Sequence, residues 1–233
     1  MKDAVLSGGS GVRNLTRVYR LTYDVDFDCQ ENEIDPILDA LKEANATLGG
    51  RRNLDETKAG LITTQPGANI KGSFYGPNRL AKFSRWTKDA KKPLKLHIMN
   101  VPDLPEMFPG EMRKLETVLK IDRRVPNASR NCLFYRKAIR ANKEARPEDF
   151  LDLTFILESS SKTEVDQLIS FCSIESRKTP VSTGIQHLVN NRKNFRSEIV
   201  SRLAHARPAG PIDEWIEAKG LKLQEFIESI RSS

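Results

Sequence analysis

Phe150-Leu151-Asp152-Leu153-Thr154-Phe155-Ile156-Leu157-Glu158 is the stretch on which the fold assignment turns. Leu151, Leu153, Phe155 and Leu157 alternate with Asp152, Thr154 and Ile156, a period of two that predicts a β-strand. Just after it, Ser161 or Thr163 is placed to cap a helix carrying Val165, Leu168, Ile169 and Cys172. The same strand-then-helix pattern occurs near the start of the chain. Asn14 to Phe27 reads as a strand, with Tyr23, Val25 and Phe27 on one face and Thr22, Asp24, Asp26 and Asp28 on the other. Glu33 to Leu48 reads as a helix with Ile34, Ile37, Leu38 and Leu41 as its apolar stripe, ended by Gly49-Gly50. The two units are too different in sequence to be a repeat.

Working outward, Leu61 to Thr64 and Ile70 to Tyr75 are short strands joined through Gln65-Pro66-Gly67. Asn78 to Lys92 is expected to be helical with Leu80, Phe83 and Trp86 inward, and Leu94 to Val101 alternates as a strand. Pro109 opens a helix through Leu119, whereas Leu133 to Ile139 shows no clear period. After Thr179-Pro180 the pattern becomes helical throughout. Gly184 to Arg207 forms one long amphipathic helix, Pro208-Ala209-Gly210-Pro211 stops it, and Ile212 to Ile230 is helical with a break near Gly220. The expected class is therefore α+β: a mixed strand and helix body over 13–180 and a helical C-terminal region over 181–233. Residues 1–12, with Ser7-Gly8-Gly9-Ser10-Gly11 and no apolar signal core, read as a flexible arm.

Composition narrows the class of protein. The chain has 233 residues and is 38% hydrophobic, enough for a core, and it has no apolar run long enough to span a bilayer. Cys29, Cys132 and Cys172 are odd in number and widely spaced, so a zinc site built on Cys-x-x-Cys is not expected. Free thiols suit a reducing compartment, which gives an intracellular location, cytoplasmic or nuclear, or a virion.

The net charge of +7 is unevenly distributed. Residues 1–58 hold eight Lys/Arg and eleven Asp/Glu. Residues 79–95 hold seven Lys/Arg against Asp89 alone, and residues 123–146 hold eight against Glu144 alone. Aromatics lie among these cations, and phosphates attract Lys and Arg while unstacked bases favour aromatic faces. On this pattern the chain is expected to be a non-enzymatic nucleic-acid-binding protein, with RNA or single strands favoured, acting through segments 71–95 and 123–146. Arg79, Lys82, Arg85, Lys88, Lys91, Lys92, Arg123, Arg124, Arg136 and Arg140 are the expected phosphate contacts, with Trp86 and Tyr135, and also Tyr75, as stacking platforms. The alternatives are a viral matrix-like or capsid-like assembly protein, with the basic face on an anionic membrane or nucleoprotein and the C-terminal helices in subunit contacts, and a metal-dependent nuclease. No catalytic residue, metal ligand or cofactor is assigned.

Other motifs were weighed on their chemistry. Asp24, Asp26, Asp28, Gln30, Asn32 and Asp35 follow the ligand spacing of an EF-hand, but Cys29 stands where the loop needs glycine, so the segment reads as an edge strand followed by an acidic helix start. Glu217-Ala218-Lys219 has a carboxylate and a lysine two apart, as restriction-type nucleases do, yet it falls in a predicted helix. Gly8-Gly9-Ser10-Gly11 lacks the lysine of a P-loop, and His97, His187 and His205 have no paired spacing. Ile212 to Ile227 resembles the two helices of a ribbon-helix-helix module, without the basic strand that reads DNA in that family.

Overall fold

The computed structural model describes residues 5–18, 24–29, 69–74, 94–100, 112–114, 124–203, 208 and 210–233. Its contacts divide the chain into one unit of Met1–Asn14 with Leu21–Ser129 and another of Leu15–Arg20 with Arg130–Ser233. Helix predominates among the described residues.

The first unit contains β1 (Val5–Ser7), most of α1 (Gly8–Thr16), β2 (Asp24–Cys29), β3 (Asn69–Phe74) and β4 (Leu94–Asn100). Their sheet runs in the order β1-β2-β4-β3. β1 is antiparallel to β2, β2 parallel to β4, and β4 antiparallel to β3. A separate antiparallel ribbon pairs β5 (Met112–Lys114) with β6 (Arg124–Pro126). Although only three residues long, β1 is buried throughout. It has β2 on one side, and on the other Asn127 bridges to Leu6 while the Ala128 N–H donates to the Leu6 carbonyl at 2.9 Å. α1 follows at once and buries Val12 and Leu15, three apart on one helical face.

Three expectations change here. Residues 5–12 are not an arm but a buried strand and a helix, because Val5, Leu6 and Val12 supply apolar anchors that outweigh the glycines between them. The acidic strand is not an edge but lies between β1 and β4. Where a helix was expected after Pro109, residues 112–114 form β5. β3 and β4 fall within a residue of the expected strands, whereas those expected over 61–64 and the helices over 33–48 and 78–92 lie outside the described residues.

The second unit is built from α2 (Arg130–Ala141), α3 (Pro147–Glu158), α4 (Lys162–Cys172), α5 (Glu175–Asn191), a 3-10 turn (Arg192–Phe195), α6 (Arg196–Arg202) and α7 (Ile212–Ser232). Phe150–Glu158, read as the best strand, is the helix α3. Every residue from Asp149 to Leu157 is buried. A helix enclosed on all sides carries no polar face and hence no 3.6-residue period, so a chance alternation imitates a strand. Pro147 at the first turn opens it.

The expected division at residue 180 does not coincide with a structural boundary, since Pro180 lies inside α5 and the contacts divide near residue 130. Pro180 forfeits one helical bond, but its carbonyl accepts from Asn142 Nδ2 at 2.8 Å. Close packing of α5 on α2 compensates. A Cβ at Gly184 would collide with the Ala138 carbonyl oxygen, and His187 Nδ1 lies 2.7 Å from the Ala141 carbonyl. The expected single helix over 184–207 is interrupted by the 3-10 turn, which buries Phe195. α7 runs unbroken through Gly220, where a Cβ would meet the Arg192 side chain at 2.6 Å. The ribbon-helix-helix likeness ends there, because that module needs two helices. α7 buries Ile216, Leu223, Phe226, Ile227 and Ile230 within its own chain, so this is the apolar stripe that had been expected to form subunit contacts.

The start of α4 carries the expected cap. The Ser161 N–H donates to Glu164 Oε2 at 2.7 Å, and the Glu164 N–H donates back to Ser161 Oγ at 3.3 Å. The Ser161 backbone bond, and then its hydroxyl and Arg130, hold the Glu164 carboxyl below its ordinary value of 4.5. A lowered folded-state value means that this stabilisation is complete above pH 4.5 and is lost as pH falls through the folded value. Glu164→Ala is expected to lower stability toward urea by about 1 kcal/mol at neutral pH. That difference should shrink as the carboxyl protonates, and a difference independent of pH would contradict the assignment.

Candidate functional site

The β1–α1 turn brings together features of the first unit that the sequence holds apart. Gly8 turns the chain from strand to helix at φ +57, a conformation that side chains with a Cβ rarely adopt. Space excludes a Cβ as well, because it would collide with Asp26 Oδ2. The β1–β2 register pairs Ser7 with Asp26, so the Asp26 carboxylate lies over the first residue of the helix. Asp24 occupies the next register position on the same face of β2.

The start of α1 has donor N–H groups without intrahelical acceptors and the positive end of the helix dipole, which suits an anion such as a phosphate. A carboxylate over the same helix end is favoured by the dipole but repels a second anion. A hard divalent cation between them resolves the conflict. Mg²⁺ is commonly held by one or two carboxylates together with substrate phosphates, and Asp24 and Asp26 supply that number. Among the described residues no three His, Cys, Asp or Glu gather to hold a metal without such help. Ser7 is fully buried in this turn, and its hydroxyl has no hydrogen-bond partner.

The second unit has its own concentration of charge. Lys137 Nζ stands 2.6 Å from Asp152 Oδ2 and 3.3 Å from Asp149 Oδ1, with both carboxylates fully buried. Arg140 grips Asp149 with two guanidinium nitrogens, Nε at 2.9 Å. Burial alone would pull the Arg140 guanidinium down, but the Asp149 hydrogen bond, with the charges of Asp149, Asp152 and Glu148, raises it overall. Enclosing Lys137, Asp149 and Asp152 in a helical core gives little net stability, so such a network reads as retained for function or specificity.

The residues expected to bind nucleic acid fare unevenly. Arg79, Lys82, Arg85, Trp86, Lys88, Lys91, Lys92 and Arg123, with the helix expected to carry most of them, lie outside the described residues. Arg124 pairs with Lys114 in the β5–β6 ribbon. Tyr135, Arg136 and Arg140 fall on α2, the helix formed by the segment whose sequence shows no clear period. Tyr135 packs edge-on to Phe171, with Arg177 5.8 Å from its ring. Several cations of this run face acids of their own chain. Arg130 donates to Glu164 at 3.1 Å and to the Ile156 carbonyl at 3.2 Å, and Arg146 pairs with Glu144.

The remaining candidates have structural partners too. Arg192 donates to Glu217 at 2.7 Å, and Lys219 pairs with Glu158, so the Glu217/Lys219 pair does not converge on one point. Asp24–Cys29 is sheet, not a calcium loop. Cys132 and Cys172 are buried outside any disulfide, and burial pushes the Cys172 thiol up to about 12.

The helical network yields a direct test. Lys137→Met removes the cation 2.6 Å from Asp152 and is expected to cost about 3–5 kcal/mol in urea unfolding, the usual consequence of breaking a buried pair from one side. A loss near zero would mean that the carboxylates are satisfied without it.

A family model for the "Nucleotidyl transferase AbiEii toxin, Type IV TA system" matches residues 1–209. No curated protein matches the chain in sequence. The solved structure of MenT4, a nucleotidyltransferase toxin from Mycobacterium tuberculosis H37Rv, aligns over 99% of this chain and 76% of its own, at 12% identity and a TM-score of 0.48. The family match overturns the reading as a non-enzymatic nucleic-acid binder, together with the viral assembly and nuclease alternatives, because the family is one of group-transferring enzymes. Among the described residues no helix is long and apolar enough to cross a membrane. With nine-tenths of its length matched, this chain belongs to the AbiEii nucleotidyl transferase toxin family.

Proposed function

We propose that the chain transfers a nucleotidyl group from a nucleoside triphosphate, with the β1–α1 turn as its reaction site. The supporting observation is the Ser7–Asp26 register beside Gly8, which sets a carboxylate against a helix end suited to phosphate. In this reading the N–H groups at the start of α1 hold the phosphates, while Asp24 and Asp26 hold a divalent cation. When bound, that cation neutralises charge on the phosphates and lowers the pKa of a coordinated hydroxyl. The acceptor hydroxyl then attacks the α-phosphorus and gives up its proton to water, a new P–O bond forms, the α–β anhydride bond breaks, and pyrophosphate leaves with the electron pair.

The architecture in this reading is α+β, a sheet-bearing unit for the nucleotide and a helical unit. The basic run over 79–95 supports an anionic acceptor, and nucleic acid is the acceptor class proposed.

The test is transfer of label from α-labelled nucleoside triphosphates to total cellular RNA, with Mg²⁺ or with chelator. The parent is expected to label RNA only with the cation. Asp24→Asn and Asp26→Asn should each lower the rate by about 100-fold or more, in the range expected for charge stabilisation at a reacting phosphate. Expression of the parent should slow bacterial growth, and Asp26→Asn should relieve it. Labelling unaffected by both substitutions would move the reaction site away from β2.

A further inference from the structure

Resting on that reading of the turn, we infer that Ser7 is a positioning residue for Asp26, fixing which carboxylate oxygen faces the cation. Three observations carry the inference. Ser7 and Asp26 are cross-strand partners, and side chains paired in this way share a face with Cβ atoms about 5 Å apart. The Ser7 side chain is fully buried, and its hydroxyl makes no hydrogen bond. Gly8, next in the chain, leaves the Asp26 carboxylate the space that a Cβ would fill.

A buried hydroxyl without a partner is unfavourable, and native proteins seldom keep one without a reason. Alanine is nearly the same size, reaches the same strand conformation and would remove the penalty. A role that appears only with ligand bound accounts for the serine. Carboxylates that hold a metal are themselves hydrogen-bonded by neighbouring groups, which orient them and tune their affinity. Rotation about χ1 turns the Ser7 hydroxyl toward its cross-strand partner, where it donates to one Asp26 oxygen and leaves the other for the cation. Facing Asp26, the Ser7 hydroxyl is a satisfied donor.

This role makes stability and affinity move in opposite directions on truncation. The experiment is Mn²⁺ binding to the full chain by electron paramagnetic resonance, beside thermal melting without metal, for the parent, Ser7→Ala, Ser7→Thr and Asp26→Asn. Ser7→Ala is expected to melt at the same temperature as the parent or higher, because an unsatisfied group is gone. Its Mn²⁺ dissociation constant should rise about 10-fold, the scale of a lost outer hydrogen bond to a ligand. Ser7→Thr keeps the hydroxyl and should retain the parental affinity.

A Ser7→Ala protein that binds Mn²⁺ as the parent does, while Asp26→Asn does not, would overturn the positioning role and leave the cation site standing. Binding unchanged in Asp26→Asn as well would instead overturn the cation site. A marked fall in melting temperature for Ser7→Ala would show that the hydroxyl has a structural partner, and would also overturn the inference. If Ser7→Thr is too bulky to fold, Ser7→Cys, isosteric and a weak donor, takes its place and should fall between parent and alanine in affinity.

Discussion

The contact between the Asp26 carboxylate and the backbone of Gly8 is the constraint from which the rest of the account follows. It requires glycine at the turn, both by the positive φ and by the absence of room for a Cβ. It fixes the β1–β2 register, since a slip of one residue would carry Asp26, Asp24 and Asp28 to the other face of the sheet. It also places negative charge at the positive end of α1, which favours the carboxylate and opposes a second anion there. The short strand can bear this because Asn127 and Ala128 secure its outer side and β2 its inner side.

The helical unit solves a different problem. Its core encloses Lys137, Asp149 and Asp152, which must be paired to be tolerated. α2 and α3 meet through that network, and α2 and α5 meet through the missing side chain of Gly184. Around them half-buried cations cap and staple: Arg130 at the end of α3, Arg192 against Glu217 on α7, and Lys219 against Glu158. Arg130, Lys137 and Arg140, three of the cations conspicuous in the sequence over 123–146, therefore answer negative charge on neighbouring helices.

This explains what the sequence made legible. Local chemistry was readable: Ser161 caps α4 as expected, and β3 and β4 fall where alternation places them. Of the strand expected over Asn14–Phe27, residues 24–27 lie in β2 while Asn14–Thr16 end α1, and the central place of β2 in the sheet was not readable because pairing partners are set by residues far away in the chain. α3 was misread because a fully buried helix has no period to read. The turn was missed because its signals are weak one at a time. A glycine run, Val12 and Leu15 three apart, and two aspartates separated by one residue have meaning only when β1 and β2 are paired. Charge counting misled most, since a run of cations does not reveal whether its counterions are a ligand or the same chain.

The most direct measurement is the anomalous scattering of Mn²⁺ in crystals of the chain grown with a non-hydrolysable nucleoside triphosphate analogue. The account predicts a Mn²⁺ peak within coordination distance of Asp24 and Asp26, with the phosphates of the analogue on the N–H groups that open α1. A nucleotide bound elsewhere, with no metal on β2, would contradict it.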